Sequence, residues 1–162
     1  MKKFIILILL IFITSCGYRM SGVVESDTAK YSFFIEEIIS KAYETEYYSL
    51  MSQEVNRFFN SYHMLKNRGD ADFSVTFILL SANTSANITS RYKQAVSSDI
   101  NVEVKAQVKD KMGKIVYENI FKNSKNFNVS SDISRNVMYR DNTFKEALKE
   151  LLLDFKYEFE NR

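Results

Sequence analysis

The 162-residue chain contains no Trp and no Pro, one Cys, one His and only four Gly. A single Cys excludes an intramolecular disulfide framework and a zinc site built from cysteines. The single His63 argues against a His-rich metal site and a Ser-His-Asp triad, and we expect it to be a surface or capping residue at a helix end. No Gly-rich phosphate loop is present. We therefore expect neither a metal nor a cofactor.

What the chain does have begins with a secretory signal. Two lysines precede an apolar run of ten residues, 4–13, and small residues then lead to Cys16. The run is shorter than the roughly 20 residues of a membrane-spanning helix, which favours a signal peptide. Ile13-Thr14-Ser15-Cys16 is typical of a bacterial lipobox, in which Cys16 becomes the lipidated first residue of the mature protein. The alternative is an ordinary signal peptide with a chance cysteine.

The lipobox sets the expected domain organisation and location. We expect residues 1–15 to be removed, residues 16–30 to form a small, polar tether, and residues 31–162 to form one domain. Several acyl chains together anchor a protein stably, so we expect attachment to a membrane through the N-terminal lipid. Gly17, in place of the Asp that favours retention in the inner membrane, predicts the outer membrane and its periplasmic face.

The charge of +2 belongs to the signal peptide, because the mature chain carries 20 basic and 20 acidic residues. The basic residues are unevenly distributed: residues 91–140 hold ten of them against five acidic ones, a local charge of +5. This segment predicts a positive surface for an anionic partner if its side chains face one way. Ordinary solvated strand faces are the alternative. Nucleic acid is not an expected partner for an exported, lipidated chain.

Alternation of apolar and polar residues predicts most of the strands. The clearest case runs from Ile100 to Lys109, where one face is apolar and the other polar or charged. Asp110 to Gly113 form a turn in which Gly113 takes a positive φ, so that the flanking strands make a hairpin. The four predicted strands cover residues 31–39, 72–80, 100–109 and 114–121.

Apolar spacings of three and four predict two helices. The first covers residues 44–62 and ends near Gly69, and the second covers residues 143–159 and opens with a Thr143–Glu146 capping box. Polar residues dominate 81–98 and 122–140, which we interpret as connections. The predicted fold class is α+β, with two helices packed on one face of a four-stranded, mostly antiparallel sheet in the order βαβββα.

Several segments together resemble one family. The mature start Cys16-Gly17-Tyr18-Arg19-Met20-Ser21-Gly22, the strand opening Ala71-Asp72-Phe73, the hairpin around Gly113 and the terminal helix from Phe144 are similar to LPS-assembly lipoproteins of the LptE type. The resemblance covers nearly the whole mature chain.

The resemblance implies a component of the lipopolysaccharide translocon of the outer membrane that is not an enzyme. Members plug an LptD-type β-barrel, assist its assembly and bind lipopolysaccharide. By that resemblance the lipopolysaccharide-binding residues are Arg91 and Lys93 ahead of one strand, and Arg135 and Arg140 ahead of the last helix. An accessory subunit of another envelope (ABC-type) lipid transporter, also lipid-anchored, is the main alternative. A lipid-anchored hydrolase is less favoured, because the adjacent Glu36 and Glu37 would point to opposite faces of a strand.

Overall fold

The computed structural model describes residues 29–88 and 95–162. The predicted order βαβββα is confirmed. Cys16, most of the tether, Arg91 and Lys93 lie outside the described residues. The elements are β1 (Phe33–Ser40), α1 (Glu46–Ser61), β2 (Phe73–Ile88), β3 (Ala95–Lys109), β4 (Ile115–Asn128) and α2 (Ile133–Glu160).

The four strands form one mixed sheet in the order β1-β2-β3-β4. β1 pairs parallel with β2, and the other two pairs are antiparallel, as the α1 crossover and the two direct connections require. Both helices pack on one face, which we call the covered face; the other is the open face. On β3 the predicted alternation is confirmed, because Ile100 to Val108 are buried at every second position while the residues between them lie on the open face.

Aromatic side chains fill much of the space between the sheet and the helices. Phe155 of α2 lies with its ring centroid 5.8 Å from Phe33, 6.3 Å from Phe59 and 5.2 Å from Phe77. All four are essentially inaccessible to solvent. One helix side chain thus contacts β1, α1 and β2, so this cluster holds the two layers together.

The strands are much longer than predicted. β2 continues to Ile88, β3 begins at Ala95 and β4 continues to Asn128, so the interpretation of residues 81–88, 95–98 and 122–128 as connections was wrong. The polar residues there pair backbone to backbone across three strands, for example Asn83 with Asn101 and Asn101 with Ser124. Positions on the open face need no apolar side chain. The alternation of apolar and polar residues is therefore lost in these segments, although the backbone hydrogen bonds between the strands continue.

α2 begins ten residues before the predicted start. Asp132 is its N-cap, and its carboxylate accepts hydrogen bonds from the backbone N–H groups of Ser134 at 2.9 Å and Arg135 at 3.4 Å. Thr143 is buried within the helix, so the predicted Thr143–Glu146 capping box does not cap it. The first turns of α2 bury little apolar surface, so the apolar stripe on which the prediction rested begins ten or so residues after the helix does. The N-terminus of the helix is set by the Asp132 cap instead.

α1 ends at Ser61, well before Gly69. His63 takes a positive φ of 54° directly after the helix, and the N–H of Met64 donates to the carbonyl of Phe59 at 2.8 Å. This turn sends the buried Met64 into the core and brings its carbonyl to the N–H of Phe33 at 2.7 Å. The exposed His63 therefore terminates the helix, as its expected capping role requires, and Gly113 has the predicted positive φ, 80°.

Candidate functional site

One end of the molecule carries Arg135 and the two strand ends that flank, in the sequence, the segment containing Arg91 and Lys93. We call it the hairpin end, after the antiparallel pair β2 and β3; the turn at Gly113 lies at the other end of the sheet. The hairpin end comprises the end of β2 (85–88), the start of β3 (95–99), the end of β4 (126–128) and the first turns of α2 (133–140). Ile88 pairs with Ala95, and Ser97 pairs with Asn128. Arg91 and Lys93 lie in the chain segment between the first pair, and Arg135 follows β4 by only seven residues.

A polar rung crosses the open face at the hairpin end. Asn87 and Asn126 each donate from their side-chain amides to the Asp99 carboxylate, at 2.9 and 2.8 Å. These hydrogen bonds, the one from Asn126 first, lower the pKa of Asp99, so it remains ionised at neutral pH. The rung joins β2, β3 and β4 by side chains as well as backbone. It therefore holds the ends of the three strands together at the hairpin end.

Arg135 is held in a defined turn and remains accessible. Ser130 and Asn136 exchange two hydrogen bonds, from the Ser130 N–H to Asn136 Oδ1 at 2.6 Å and from Asn136 Nδ2 to the Ser130 carbonyl at 2.7 Å. With the Asp132 cap they fix the first turn of α2. The Arg135 side chain is 65% exposed, and its Nε lies 3.6 Å from Asp132 Oδ2. A single exposed ion pair leaves its guanidinium able to meet a phosphate.

Exposed apolar side chains lie beside Arg135 on α2. Ile133 is 80% exposed, Met138 50%, Val137 42% and Tyr139 37%. Ile133 and Val137 are one turn apart and share one helix face, whereas Met138 and Tyr139 lie about one turn after Arg135 and share its face. We call these four residues, which lie around the exposed first turns of α2, the apolar patch. Basic and apolar groups side by side suit a ligand with both phosphates and acyl chains. Sequence reasoning missed the patch, although the spacing of Ile133 and Val137 was a signal for it.

Arg140 occupies a different environment from Arg135. Its guanidinium contacts Glu44 at 3.1 Å, Asp141 at 3.1 Å and Glu46, and lies 5.5 Å from the centroid of the Tyr47 ring. Burial opposes its charge, but the hydrogen bond with Asp141 and the charge of Glu46 raise its pKa above the ordinary arginine value. Arg140 thus joins the first turns of α2 to the start of α1, and its three carboxylates would oppose an approaching phosphate.

Most of the basic residues on the strands are paired with carboxylates. Lys105 bonds Glu118 at 2.8 Å, Lys109 bonds Glu36 at 2.8 Å and Lys122 bonds Glu103 at 3.2 Å, all on the open face. Lys125 bonds Glu150 of α2 instead. The basic segment therefore does not form one continuous positive surface, because its strand lysines are neutralised where they stand. Among the described residues, the accessible positive charge at the hairpin end comes from Arg135.

The chain enters the domain at the opposite end. The backbone N–H of Lys30 donates to Glu160 Oε1 at 2.8 Å, at the C-terminal end of α2. The hairpin end lies near the N-terminal end of the same 28-residue helix. At 1.5 Å per residue the helix is about 42 Å long. The attachment point of the tether and the hairpin end are thus separated by about the length of the domain.

No helix within residues 29–88 and 95–162 is long and apolar enough to cross a membrane. The same ranges contain no group of three or more His, Cys, Asp or Glu side chains arranged to hold a metal ion.

Solved structures share this fold at low sequence identity. A candidate lipoprotein from Caulobacter crescentus superposes with a TM-score of 0.53 and 12% identity, over 76% of this chain and 88% of that one. A hypothetical protein from Chlamydia trachomatis gives a TM-score of 0.55 and 14% identity, over 79% and 96%. Rare lipoprotein B from Shewanella oneidensis gives a TM-score of 0.48 and 11% identity, over 77% and 97%.

The Caulobacter and Chlamydia similarities establish the fold. The Caulobacter protein is named as a candidate lipoprotein, so the structural neighbours of this chain include a bacterial lipoprotein. No protein-family model matches the chain, and no curated protein sequence matches it.

Proposed function

We propose that this chain is a lipoprotein of the outer membrane that plugs an LptD-type β-barrel, assists its assembly and binds lipopolysaccharide at the hairpin end. The observation that carries the proposal is the placement of the accessible Arg135 and the apolar patch at the hairpin end, where the strands that flank Arg91 and Lys93 in the sequence also end. Lipopolysaccharide presents phosphates and acyl chains together, which matches a basic and apolar surface. The lipobox at Cys16 and a candidate lipoprotein of the same fold support the membrane anchor.

Within the hairpin end, Arg91, Lys93 and Arg135 are the proposed phosphate contacts, and the apolar patch is the proposed acyl contact. Arg can bind a phosphate through two parallel N–H groups, whereas Lys acts as a point charge. Arg140, with three carboxylates around it, is better placed to position α2 than to bind the ligand. The proposed role is binding and assembly, with no catalytic step.

The anchor is tested by metabolic labelling with a palmitate analogue. Label is expected on the wild-type protein and absent from Cys16→Ala. Label that persists in the variant would contradict lipidation at Cys16.

The partner is tested by affinity purification of the tagged full-length protein from detergent-solubilised membranes. A large β-barrel is the expected co-purifying protein. Recovery of inner-membrane transporter subunits alone would instead support the alternative, an accessory subunit of another envelope (ABC-type) lipid transporter.

Ligand binding is tested by titration of lipopolysaccharide against Arg91→Ala/Lys93→Ala. We expect at least tenfold weaker binding, about 1.4 kcal/mol, with the thermal midpoint unchanged. The matched control is Lys111→Ala/Lys114→Ala, which removes the same charge from the exposed turn at the other end of the sheet. Equal loss of affinity in both variants would mean that only net charge matters and would reject the site.

A further inference from the structure

β4 is an edge strand of 14 residues. Two contacts show which of its backbone groups point away from β3. The carbonyl of Val116 accepts a hydrogen bond from Arg162 Nη1 at 3.1 Å, and the N–H of Ile120 donates to Asn119 Oδ1 at 2.8 Å. The even-numbered residues from 118 to 126 therefore direct their amides and carbonyls outward, beyond the bulge at Val116. A long edge of this kind is a template for pairing with another strand.

The side chains on the open face of this edge are self-complementary. Glu118, Ile120 and Lys122 follow one another there, and Ile120 is 45% exposed. We propose that β4 pairs antiparallel with β4 of a second copy about a two-fold axis through Ile120. In that register Ile120 faces Ile120 of the second copy. Glu118 of each copy faces Lys122 of the other. Opposite charges and apolar residues directly across an antiparallel pair stabilise it.

The existing contacts of β3 extend this pattern. Gln107 lies opposite Glu118 and donates to it at 2.8 Å, and Glu103 lies opposite Lys122 at 3.2 Å. Pairing through Ile120 therefore creates a row of four side chains across the dimer: Gln107 and Glu118 from one copy, then Lys122 and Glu103 from the other. Each charged side chain in this row lies next to an opposite or a neutral one. The two-fold axis produces a second, identical row.

The helices leave room for this arrangement. Strands lie about 4.8 Å apart, so the outer strands of the sheet are about 14 Å apart, while two packed helices need only 8–10 Å. With the two helices centred over the sheet, α2 and its copy across the axis would be about 10 Å apart. Asp154 lies between Glu150 and Glu158, which both contact β4 side chains, so the two copies of Asp154 are expected to face each other and weaken the pair.

The register is tested by disulfide cross-linking of the purified full-length chain with Cys16→Ser, which leaves any introduced cysteine as the only thiol. Across a hydrogen-bonded antiparallel pair the Cα atoms are about 5.5 Å apart, a distance that a disulfide spans. Ile120→Cys should form dimers on mild oxidation. Glu118→Cys and Lys122→Cys should form them only when mixed, because these two positions face each other in the proposed register, and Val116→Cys alone should form none.

A second measurement needs no cysteine. Ile120→Pro removes an amide that points away from β3, so the fold should persist while pairing is lost. In sedimentation velocity we expect at least tenfold weaker association for Ile120→Pro and stronger association for Asp154→Asn, with circular dichroism unchanged. A wild-type protein that stays monomeric at its highest soluble concentration overturns the proposal, as do equal cross-linking yields for Ile120→Cys and Val116→Cys alone. The inference goes beyond the proposed function, and neither barrel nor lipopolysaccharide enters either measurement.

Discussion

Replacement of Arg140 by Met should destabilise the domain far more than replacement of Arg135. Met keeps much of the aliphatic volume but removes the charge that Glu44, Glu46 and Asp141 surround. The Arg140 side chain is 18% exposed, and its partners are between 25% and 48% exposed. The site is therefore intermediate between a surface ion pair and a buried one.

That intermediate position sets the expected magnitude. Surface pairs contribute about 0–1 kcal/mol, and removal of one partner of a buried pair costs about 3–5 kcal/mol. We expect a loss of about 1.5–3 kcal/mol for Arg140→Met. In a domain of this size 1 kcal/mol corresponds to about 4 °C, so the thermal midpoint should fall by about 6–12 °C. Arg135→Met should change it by less than about 2 °C, because its side chain is 65% exposed.

The assay is thermal unfolding followed by circular dichroism, with urea titration as a check on the free energy. Glu44→Gln combined with Arg140→Met should cost less than the sum of the single changes, because both remove the same interaction. Equal midpoints for Arg140→Met and Arg135→Met would refute the reasoning. Below the melting range, Arg140→Met should retain lipopolysaccharide binding that Arg135→Met weakens, which separates a positioning role from ligand contact.

Three further changes test other parts of the fold. Asp72 accepts hydrogen bonds from Ser32 Oγ at 2.6 Å and from the Ser32 N–H at 2.9 Å, and these bonds lower its pKa. The ionised Asp72 therefore stabilises the folded state above the unfolded pKa near 4, and this contribution is lost as pH falls through the folded pKa. In Asp72→Asn the urea midpoint of unfolding should fall less steeply with decreasing pH, in the acid range, than it does in the wild type. The same slope in both proteins would contradict this. Asp132→Ala should cost about 1 kcal/mol through loss of the helix cap, measured by urea unfolding with Asp132→Asn, which should cost little, as control. Phe155→Ala should cost about 3–5 kcal/mol in the same assay, and Phe155→Leu clearly less; equal losses would place the aromatic cluster outside the core.

The fold could be predicted from the sequence where buried positions produce a regular spacing of apolar residues. β3 alternates over its whole second half, and α2 carries an apolar stripe from Phe144 to Phe159, so the order and type of all six elements were predicted correctly. The prediction failed where backbone pairing continues without burial. The polar ends of β2 and β4, and the exposed first turns of α2, are held by ladder bonds, the Asp99 rung and the Asp132 cap, which hydrophobic periodicity does not detect.

The candidate site could be predicted only in part, for a related reason. The count of basic residues between 91 and 140 was available from the sequence, but their partners were not. Lys105, Lys109 and Lys122 are neutralised by residues that are distant along the chain and adjacent in the sheet. Pairing of this kind depends on strand register, and register became known only with the fold. The same holds for Arg140, since two of its three partners, Glu44 and Glu46, lie almost a hundred positions earlier.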